Sequence, residues 1–443
     1  MRTIRLLLAL VLACTACSPP AAPTSSTSGS AEGTSCLGGY LCMTLQVPLD
    51  RSRPDGPTLN LQVAAADNVD APRGVLLLLT GGPGQPGVPL LRDLRRSVHP
   101  DVLREYRLVM FDQRGTGARG INCSALQQTV GGSDFLTPPT TAVDECAESL
   151  GADAGYYGTP DTVEDIEQLR QLLKVERLTL DGTSYGSFTA AQYGLKYPDR
   201  VQALVLDSVV PHKGFDPMNV DLMAATADVL RAACRQDSAC TTDPVDDLAW
   251  LVRNGVSGAD LMESLSVSSL NAVNPSLKGI STILHNARNG DDSGLKQLFE
   301  RTTSKGVTYD RLSAGLHMAT LCSDLRFPWS GKADRKAAFD DAVRRLNPKR
   351  LHPYDVATAQ NVLPIQGCLR WPADRVSTYP ASQELLPRTL ILHGTNDLFC
   401  PLDWAKWERE HAPNSKLVVI PGSGHSVKRD PRGQQATREF LLQ

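Results

Sequence analysis

The sequence predicts an α/β fold built around a mostly parallel sheet. Short, strongly apolar runs typical of buried strands recur along the chain. They occupy residues 74–80, 107–111, 177–181, 203–207, 388–394 and 416–420. Stretches with helical periodicity stand between several of these runs, and one of them begins with Asp161 followed three positions later by Glu164, a helix-capping pattern. Strands that alternate with helices favour a parallel sheet with helices on its faces.

Length and composition agree with a globular protein that buries a full core. The chain has 443 residues, of which 41% are hydrophobic and 21% are charged. One domain with an insertion accounts for this length better than three domains do. The formal net charge of −3 offers no positive surface for nucleic acid, so no nucleic-acid partner is expected.

The amino terminus has the shape of an export signal. Arg2 and Arg5 precede the apolar residues 6–13, a stretch too short to span a bilayer but typical of a secretory signal peptide. The small residues that follow end at Cys17, and this ending resembles the signal of a bacterial lipoprotein, whose cysteine is lipid-modified after cleavage. Cys17 fits better than Cys14 because a stretch rich in Pro, Ser and Thr begins directly after it.

These features predict an exported protein. We expect residues 1–17 to be a signal peptide and residues 18–35 to be a disordered linker, since the linker is rich in Pro, Ser, Thr, Ala and Gly. Lipidation at Cys17 would hold the protein at the cell surface, and this anchor is the only membrane contact expected. Secretion after ordinary cleavage is the alternative.

Export also changes the interpretation of the cysteines. Eleven are present, and nine remain once Cys14 and Cys17 are set aside. An oxidising compartment favours disulfides, and among the connectivities that the sequence allows we expect neighbours to pair. The expected bridges are Cys36–Cys42, Cys123–Cys146, Cys234–Cys240 and Cys322–Cys368. Cys400 is left over, and among these nine cysteines there is neither a C-x-x-C pair nor an accompanying histidine cluster, so no metal is predicted.

A serine stands at the tip of a predicted strand-to-helix turn. Residues 182–186 read Gly-Thr-Ser-Tyr-Gly, between the strand at 177–181 and a helical stretch at 187–193. Glycines on both sides of a serine allow a sharp turn that presents the hydroxyl group. Ser184 is therefore the candidate nucleophile, the alternative being an ordinary glycine–serine turn.

A serine nucleophile needs a base and an acid that orients the base. In folds with this turn the acid and then the histidine follow the serine along the chain. Asp397 and His425 each lie a few residues beyond a C-terminal strand, so in a parallel sheet both loops open on the same edge as Ser184. Asp403 is the reserve candidate for the acid, and His393 is interpreted as a strand-end histidine.

An oxyanion hole completes the predicted site. The strand at 74–80 leads into the glycine-rich segment 81–87, and we expect the backbone N–H groups of Gly82 and Tyr185 to stabilise the negative charge of a tetrahedral intermediate. A glycine-rich loop after a strand is also found at phosphate sites. No Lys-Ser/Thr follows this one, so a nucleotide site is not predicted, even though residues 82–87 have the spacing G-x-G-x-x-G.

Four motifs occur together in order. They are Gly-Gly-Pro-Gly at 81–84, Phe-Asp-Gln-Arg-Gly-Thr-Gly at 111–117, Gly-Thr-Ser-Tyr-Gly at 182–186 and Gly-His at 424–425. From about residue 59 to its end the chain resembles the proline iminopeptidase and tripeptidyl aminopeptidase branch of the α/β-hydrolases. The resemblance implies an eight-stranded, mostly parallel sheet, a helical cap inserted after the sixth strand, and cofactor-free hydrolysis at the amino terminus of peptides. The chain departs from the family pattern at residues 85–87, which read Gln-Pro-Gly where Gly-Ser-Gly is usual, and at Cys400 beside the expected acid.

The resemblance and the strand signals together divide the chain. We expect a hydrolase core in two parts, residues 36–209 and 387–443, with the cap at residues 210–386. Strand signals mostly vanish in the cap, where helical stretches such as 221–234 and 332–346 dominate. The cap roofs the site and is expected to set substrate choice.

An aminopeptidase has to recognise a free α-ammonium group, which a carboxylate in a partly dry pocket does by a charge-assisted hydrogen bond. Asp324 follows Cys322 in the cap, and in the resembling family an acidic residue follows a cap cysteine at this spacing. We therefore expect Asp324 to bind the amine of the substrate. The alternative is a surface aspartate at a helix end.

Three functional classes remain open at this point. The first is a serine aminopeptidase that acts on peptides with a free amino terminus through an acyl-enzyme, without a cofactor. The second is a carboxylesterase that uses the same triad. The third is a non-enzymatic surface lipoprotein, which the complete set of serine, acid, histidine and oxyanion donors disfavours.

Overall fold

The computed structural model describes residues 34–273, 275, 277–372 and 383–443. The predicted signal peptide with Cys17, the linker as far as residue 33 and residues 373–382 of the predicted cap lie outside the described residues. Within the described ranges, no helix has both the length and the apolar character needed to cross a membrane.

One sheet forms the centre of the described structure. Its strands are β1 Thr34–Leu37, β2 Tyr40–Pro48, β3 Thr58–Ala66, β4 Val75–Leu79, β5 Arg107–Phe111, β6 Leu178–Thr183, β7 Val201–Asp207, β8 Thr389–Gly394 and β9 Ser415–Ile420. Their order is β1-β2-β3-β5-β4-β6-β7-β8-β9. The six strands from β4 onwards are parallel, and β1 to β3 are joined to them by antiparallel pairings. The α/β-hydrolase sheet is confirmed: β2 to β9 are its eight strands, and the short β1 is added at the edge.

The central strands are apolar throughout because both faces of the sheet are covered. In β4, Val75, Leu77 and Leu79 belong to one buried cluster, while Leu76 and Leu78 belong to the cluster on the opposite face. This explains why the strand runs are continuous rather than alternating.

Helices cover both faces and fill the insertion. Their bounds are α1 Leu91–Leu94, α2 Pro100–Glu105, α3 Ser124–Val130, α4 Thr140–Leu150, α5 Thr159–Leu172, α6 Tyr185–Lys196, α7 Val220–Arg235, α8 Pro244–Arg253, α9 Gly258–Ser268, α10 Ile280–Arg288, α11 Ser293–Thr302, α12 Ala314–Asp324, α13 Arg335–Arg344, α14 Pro348–Leu351, α15 Val356–Ala359, α16 Leu363–Arg370, α17 Leu402–Glu410 and α18 Pro431–Leu442.

Helix α5 begins earlier than the capping pattern predicts. Its first residue is Thr159, and Gly158 rather than Asp161 is the N-cap, so Asp161 lies in the first turn. The carboxylate of Asp324, from a distant part of the chain, accepts the Thr159 N–H at 2.9 Å. A tertiary contact thus takes over the role that the local pattern assigned to Asp161.

The segment between β7 and β8 contains helices α7 to α16 and no strand within its described residues. A disulfide between Cys322 and Cys368 joins α12 to α16. The other three expected disulfides are also present, and Cys400 is a buried free thiol. Disulfides of this number are typical of exported proteins. The cap boundaries at residues 210 and 386 stay predictions.

Candidate active site

Ser184 lies on a sharp turn between β6 and α6. Its φ of +57° and ψ of −128° are unusual for a residue with a side chain. The flanking glycines make the turn possible: a Cβ on Gly182 would lie 2.1 Å from the carbonyl oxygen of Gly186, and a Cβ on Gly186 would lie 2.4 Å from that of Leu79. Backbone crowding therefore accounts for the G-x-S-x-G pattern.

Asp397 and His425 are in contact in the loops after β8 and β9. The Nδ1 atom of His425 lies 2.9 Å from Oδ2 and 3.0 Å from Oδ1 of Asp397, and both side chains are buried. Asp397 also accepts the backbone N–H groups of the second and third residues after it, which fixes the carboxylate. Asp403, the reserve candidate, has a side chain that is 83% exposed. His393 is buried near the end of β8, as its interpretation as a strand-end residue requires.

Burial and mutual attraction set the charges of this pair. Burial by itself lowers the pKa of a histidine and raises that of a carboxylate, because it disfavours the charged forms. The attraction and hydrogen bond between the two groups outweigh burial, so the pKa of His425 is raised above its ordinary value and that of Asp397 is lowered. Since Asp397 accepts the hydrogen on Nδ1, neutral His425 presents Nε2 as its proton acceptor.

The loop that carries His425 is tied to the strands beneath it. Asp207, at the end of β7, accepts the N–H groups of Val427 at 2.9 Å and Lys428 at 3.2 Å. The buried ammonium of Lys428 pairs with Asp181 of β6. Burial raises the pKa of Asp207 to about 6, although the nearby charge of Lys428 opposes that shift. These contacts hold His425 over the strand that leads to the nucleophile turn.

The two expected oxyanion donors adjoin Ser184. Tyr185 is the first residue of α6, where helical N–H groups have no partner inside the helix. Gly82 has a φ of +104°, and in the part of the chain that the structure describes its N–H donates to no protein acceptor. The preceding Gly81 lies so close to Ser184 that a Cβ on Gly81 would be 2.9 Å from the Cβ of Ser184. Both N–H groups can therefore meet an oxygen of a bound substrate.

The departure from the family pattern after Gly84 has a structural consequence. The side-chain oxygen of Gln85 accepts the Gly81 N–H at 3.2 Å, and its carbonyl oxygen accepts the Thr80 hydroxyl at 2.7 Å. Gln85 also lines the wider of the two cavities described next. It therefore folds the loop back on itself and shapes the entrance.

Two cavities meet at Ser184 and Gly82. One has a volume of about 40 Å³ and is walled mainly by apolar groups, among them the rings of Phe215 and Trp404. The other has a volume of about 380 Å³ and is lined by Ser184 together with His425. Three basic residues also line it, Arg311, Lys428 and Arg429. Within the described residues the Ser184 hydroxyl makes no hydrogen bond, and in sites without substrate catalytic hydrogen bonds are commonly long or not yet formed.

Two aspartates near the site occupy different positions. Asp134 lines both cavities, its side chain is 32% exposed, and its Oδ1 lies 3.1 Å from Nε2 of His317. Asp324 is buried and lines neither cavity: its carboxylate accepts the Thr159 N–H and, at 2.8 Å, the hydroxyl of Tyr185. Burial raises the pKa of Asp324 to about 6. Asp324 is therefore not a surface aspartate, and its binding of a substrate amine stays a prediction that no contact supports.

The sequence patterns did not indicate a role for three residues near the site, Asp134, His317 and Asn219. Asn219 precedes α7 and resembles an N-cap in the sequence, but its side chain makes no cap hydrogen bond. The residue is 4% exposed, its Nδ2 atom has no partner among the described residues, and it lines the smaller cavity. Asp134 and His317 belong to no motif, so only the folded chain reveals their position.

One group of metal-ligating types exists within the described residues. Ligand atoms of Asp397, Cys400 and His425 lie within 4.8 Å of one another. The hydrogen bonds of the acid–base pair explain this proximity, and burial raises the pKa of the Cys400 thiol well above its ordinary value, which disfavours the thiolate that a metal would need. We assign no metal to the site.

Comparison with known families agrees with the fold. Residues 74–245 match the α/β-hydrolase fold family, and residues 353–443 match the family described as TAP-like protein. The chain is an α/β-hydrolase with a TAP-like C-terminal region. The two matches together include every residue of the predicted triad and both predicted oxyanion donors.

Curated relatives are distant and are matched in part. A tripeptidyl aminopeptidase of Streptomyces coelicolor is 30% identical over 188 residues, 38% of this chain and 35% of the relative. The serine protease Hip1 of Mycobacterium tuberculosis is 28% identical over 204 residues, 42% of this chain and 39% of the relative. The chain thus spans about two fifths of the length of these relatives. A Leptolyngbya boryana protein named "Probable proline iminopeptidase" is 22% identical over 355 residues, 80% of this chain and 81% of the relative.

Solved structures are similar only loosely. A proline iminopeptidase-related protein from Thermus thermophilus has a TM-score of 0.40 and 17% identity, over 90% of this chain and 96% of that one. Similarity at this level adds nothing to the assignment.

Proposed function

We propose that the protein is a serine hydrolase that releases residues or short peptides from the free amino terminus of peptides, through an acyl-enzyme at Ser184. The observation that carries the proposal is the buried contact between His425 and Asp397 at the cavity onto which Ser184 opens. The TAP-like match and the peptidase relatives support peptides as the substrate class.

In the proposed reaction Ser184 Oγ attacks the carbonyl carbon of the scissile bond while Nε2 of His425 takes the hydroxyl proton. Asp397 keeps the imidazole oriented and stabilises the imidazolium that forms. The N–H groups of Gly82 and Tyr185 donate to the oxyanion. Collapse of the intermediate breaks the C–N bond, and the proton on Nε2 passes to the leaving amine.

Water completes the cycle. It attacks the acyl-enzyme at the same carbon, gives its proton to Nε2 of His425 and releases the acid product. Ser184 recovers its proton as the ester bond breaks. Atoms and charge balance without a cofactor.

The two cavities suggest how a peptide is divided between them. We assign the smaller cavity to the side chain of the residue that forms the acyl group. Its volume of about 40 Å³ and its apolar walls favour a small apolar side chain. The wider cavity is assigned to the leaving peptide, whose terminal carboxylate is attracted by Arg311 and Arg429 there, since the ammonium of Lys428 is paired with Asp181. The unpaired amide of Asn219 offers a hydrogen bond inside the smaller cavity.

We assign recognition of the α-ammonium group to Asp134. It is the carboxylate that lines both cavities, whereas Asp324 has its oxygens engaged by Thr159 and Tyr185. A charge-assisted hydrogen bond from the ammonium is worth about 1.5–3 kcal/mol, roughly a ten- to hundredfold effect.

Export is the second part of the proposal. We propose that the protein acts outside the cytoplasm, either secreted or held by lipid on Cys17. Four disulfides in the described residues support an oxidising compartment. Mass spectrometry of the mature amino terminus would test this: a diacylated Cys17 supports the anchor, and an unprocessed Met1 contradicts export.

Matched substrates test the peptidase activity. Aminoacyl and tripeptidyl substrates are compared with their N-acetylated forms and with short-chain esters, on the chain lacking residues 1–33. We expect acetylation to remove most turnover, and Asp134→Asn to raise KM for free-amine substrates about ten- to hundredfold while leaving the esters largely unaffected. Equal turnover of blocked and free peptides would reject the aminopeptidase, and a preference for esters would favour a carboxylesterase. Asp324→Asn is the matched comparison that decides between the two aspartates.

A further inference from the structure

A histidine from the helical insertion touches the loop that carries Gly82. His317 lies on α12 and its side chain is 3% exposed. Its Nδ1 atom is 2.9 Å from the carbonyl oxygen of Pro83, and its Nε2 atom is 3.1 Å from Oδ1 of Asp134. The imidazole therefore bridges the loop after β4 and the cavity wall.

The acceptor that faces a ring nitrogen of His317 determines whether that nitrogen must carry a hydrogen. A carbonyl oxygen only accepts hydrogen bonds, so Nδ1 must carry a hydrogen to bond Pro83. The Nε2 atom of His317 faces Asp134 within ion-pair distance but makes no hydrogen bond with it among the described residues. Burial lowers the pKa of His317, but the nearby charge of Asp134 outweighs burial and leaves the pKa raised. The hydrogen bond to Pro83 is therefore the contact that fixes the ring.

The loop needs such support. Gly82 and Gly84 flank Pro83 with φ values of +104° and +106°, conformations that only glycine adopts readily. The carbonyl of Gly84 accepts the N–H of Ser313 at 3.0 Å, and a Cβ on Gly84 would lie 2.7 Å from the Ser313 carbonyl oxygen. The start of α12 therefore packs directly on the loop, and the bond from His317 restrains the carbonyl between the two glycines.

We propose that His317 is a positioning residue for the oxyanion donor: by holding the Pro83 carbonyl it aims the N–H of Gly82 at the oxygen that becomes negative in the transition state. The inference rests on the proposed function, since it concerns the same site. It also gives the helical insertion a part in the chemical step, in addition to roofing the site.

Two nearly isosteric variants separate the hydrogen bond of His317 to Pro83 from its ion-pair contact with Asp134. The amide nitrogen of His317→Asn sits where Nδ1 sits and can still donate to Pro83, but it no longer reaches Asp134. The amide nitrogen of His317→Gln sits where Nε2 sits and can donate to Asp134, but it leaves the Pro83 carbonyl unbonded. His411→Gln is the control, because His411 is a half-buried histidine whose Nδ1 is likewise 2.8 Å from a backbone carbonyl oxygen, that of Trp407.

The readouts are kcat and KM on the best substrate and the rate of Ser184 labelling by a fluorophosphonate, which needs no known substrate. Loss of a whole oxyanion donor lowers kcat about 10²–10³-fold, so a displaced donor should lower it by at least about tenfold. We expect that loss in kcat and in labelling rate for His317→Gln with KM within about twofold, most of the wild-type rate for His317→Asn, and no change for His411→Gln. Thermal unfolding of each variant verifies folding, and His317→Leu, which removes the hydrogen bond and the ion-pair contact together, replaces the Gln variant if that one does not fold.

The outcomes are distinct. Equal rates for the Asn and Gln variants, or an effect on KM alone, would overturn the positioning role. A wild type that is not labelled at Ser184 would overturn the proposed function and this inference with it. Normal labelling of wild type and of His317→Gln would overturn only the inference.

Discussion

Lys428 offers a stringent test of how the loop carrying His425 is held. Its side chain is 6% exposed and its ammonium pairs with the carboxylate of Asp181, whose side chain is 1% exposed. Lys428 also lowers the pKa of the neighbouring Asp207 by its charge. Lys428→Met keeps the length and apolar stem of the side chain but removes the cation, which leaves two buried carboxylates close together.

Removal of one partner of a buried ion pair costs about 3–5 kcal/mol. We expect a loss of that size in the free energy of unfolding measured in urea at pH 8. Without the cation the folded-state pKa of the two aspartates rises further above the unfolded value. A raised carboxyl pKa means that the folded state binds more protons, so stability falls as pH rises through the range between the unfolded and folded pKa values. The loss should therefore be smaller at pH 5 than at pH 8.

A double variant supplies the matched control. Lys428→Met with Asp181→Asn removes the unpaired charge together with the cation, so we expect it to be more stable at pH 8 than Lys428→Met alone. A loss below about 1 kcal/mol, or a loss that does not change with pH, would refute the idea that a buried ion pair fixes this loop. The same result would indicate that Lys428 is solvated through the cavity that it lines.

Three further predictions concern the base, the nucleophile turn and the disulfides. The acid limb of kcat/KM should have its midpoint above 6.5, because only neutral His425 accepts a proton and its carboxylate partner raises its pKa; a midpoint below 6.5 in a pH–rate profile would contradict this. Gly186→Ala should lower the free energy of unfolding by about 3 kcal/mol or more, because its Cβ would lie 2.4 Å from a backbone oxygen. Gly306→Ala, whose Cβ would have nothing within 4 Å, should unfold at the wild-type temperature. Replacement of Cys322 and Cys368 by serine opens a bridge with a sequence separation of 46 and should lower stability by about 4 kcal/mol in the chain-entropy relation; an unchanged urea midpoint would show that this bridge adds no stability.

Local patterns made the sheet and the contact between Asp397 and His425 predictable. Ser184 follows its strand directly, Asp397 and His425 lie a few residues beyond theirs, and parallel strands bring such loops to one edge. The disulfide pairs were predictable because three of them close short loops. Strand β2, Tyr40–Pro48, was not predicted, because its buried residues alternate with more exposed ones and form no continuous apolar run.

Contacts between distant segments were not predictable. His317 meets Pro83 across 234 positions of sequence, and neither residue type signals the partner. Asp324 lies at the spacing that the family resemblance implies, but the fold turns its carboxylate towards Thr159 and Tyr185 rather than into a cavity. Spacing along a helix fixes a residue's place in the chain, whereas packing of that helix decides what its side chain meets.

The claim that Ser184 is a nucleophile activated by His425 is tested most directly by mapping a fluorophosphonate adduct by mass spectrometry of the intact, disulfide-bonded protein. We predict one adduct, on Ser184, in the wild type, and loss of nearly all labelling in a folded His425→Ala variant, because no other group takes the hydroxyl proton. An adduct on another residue, or wild-type labelling of Ser184 in the absence of His425, would contradict the account.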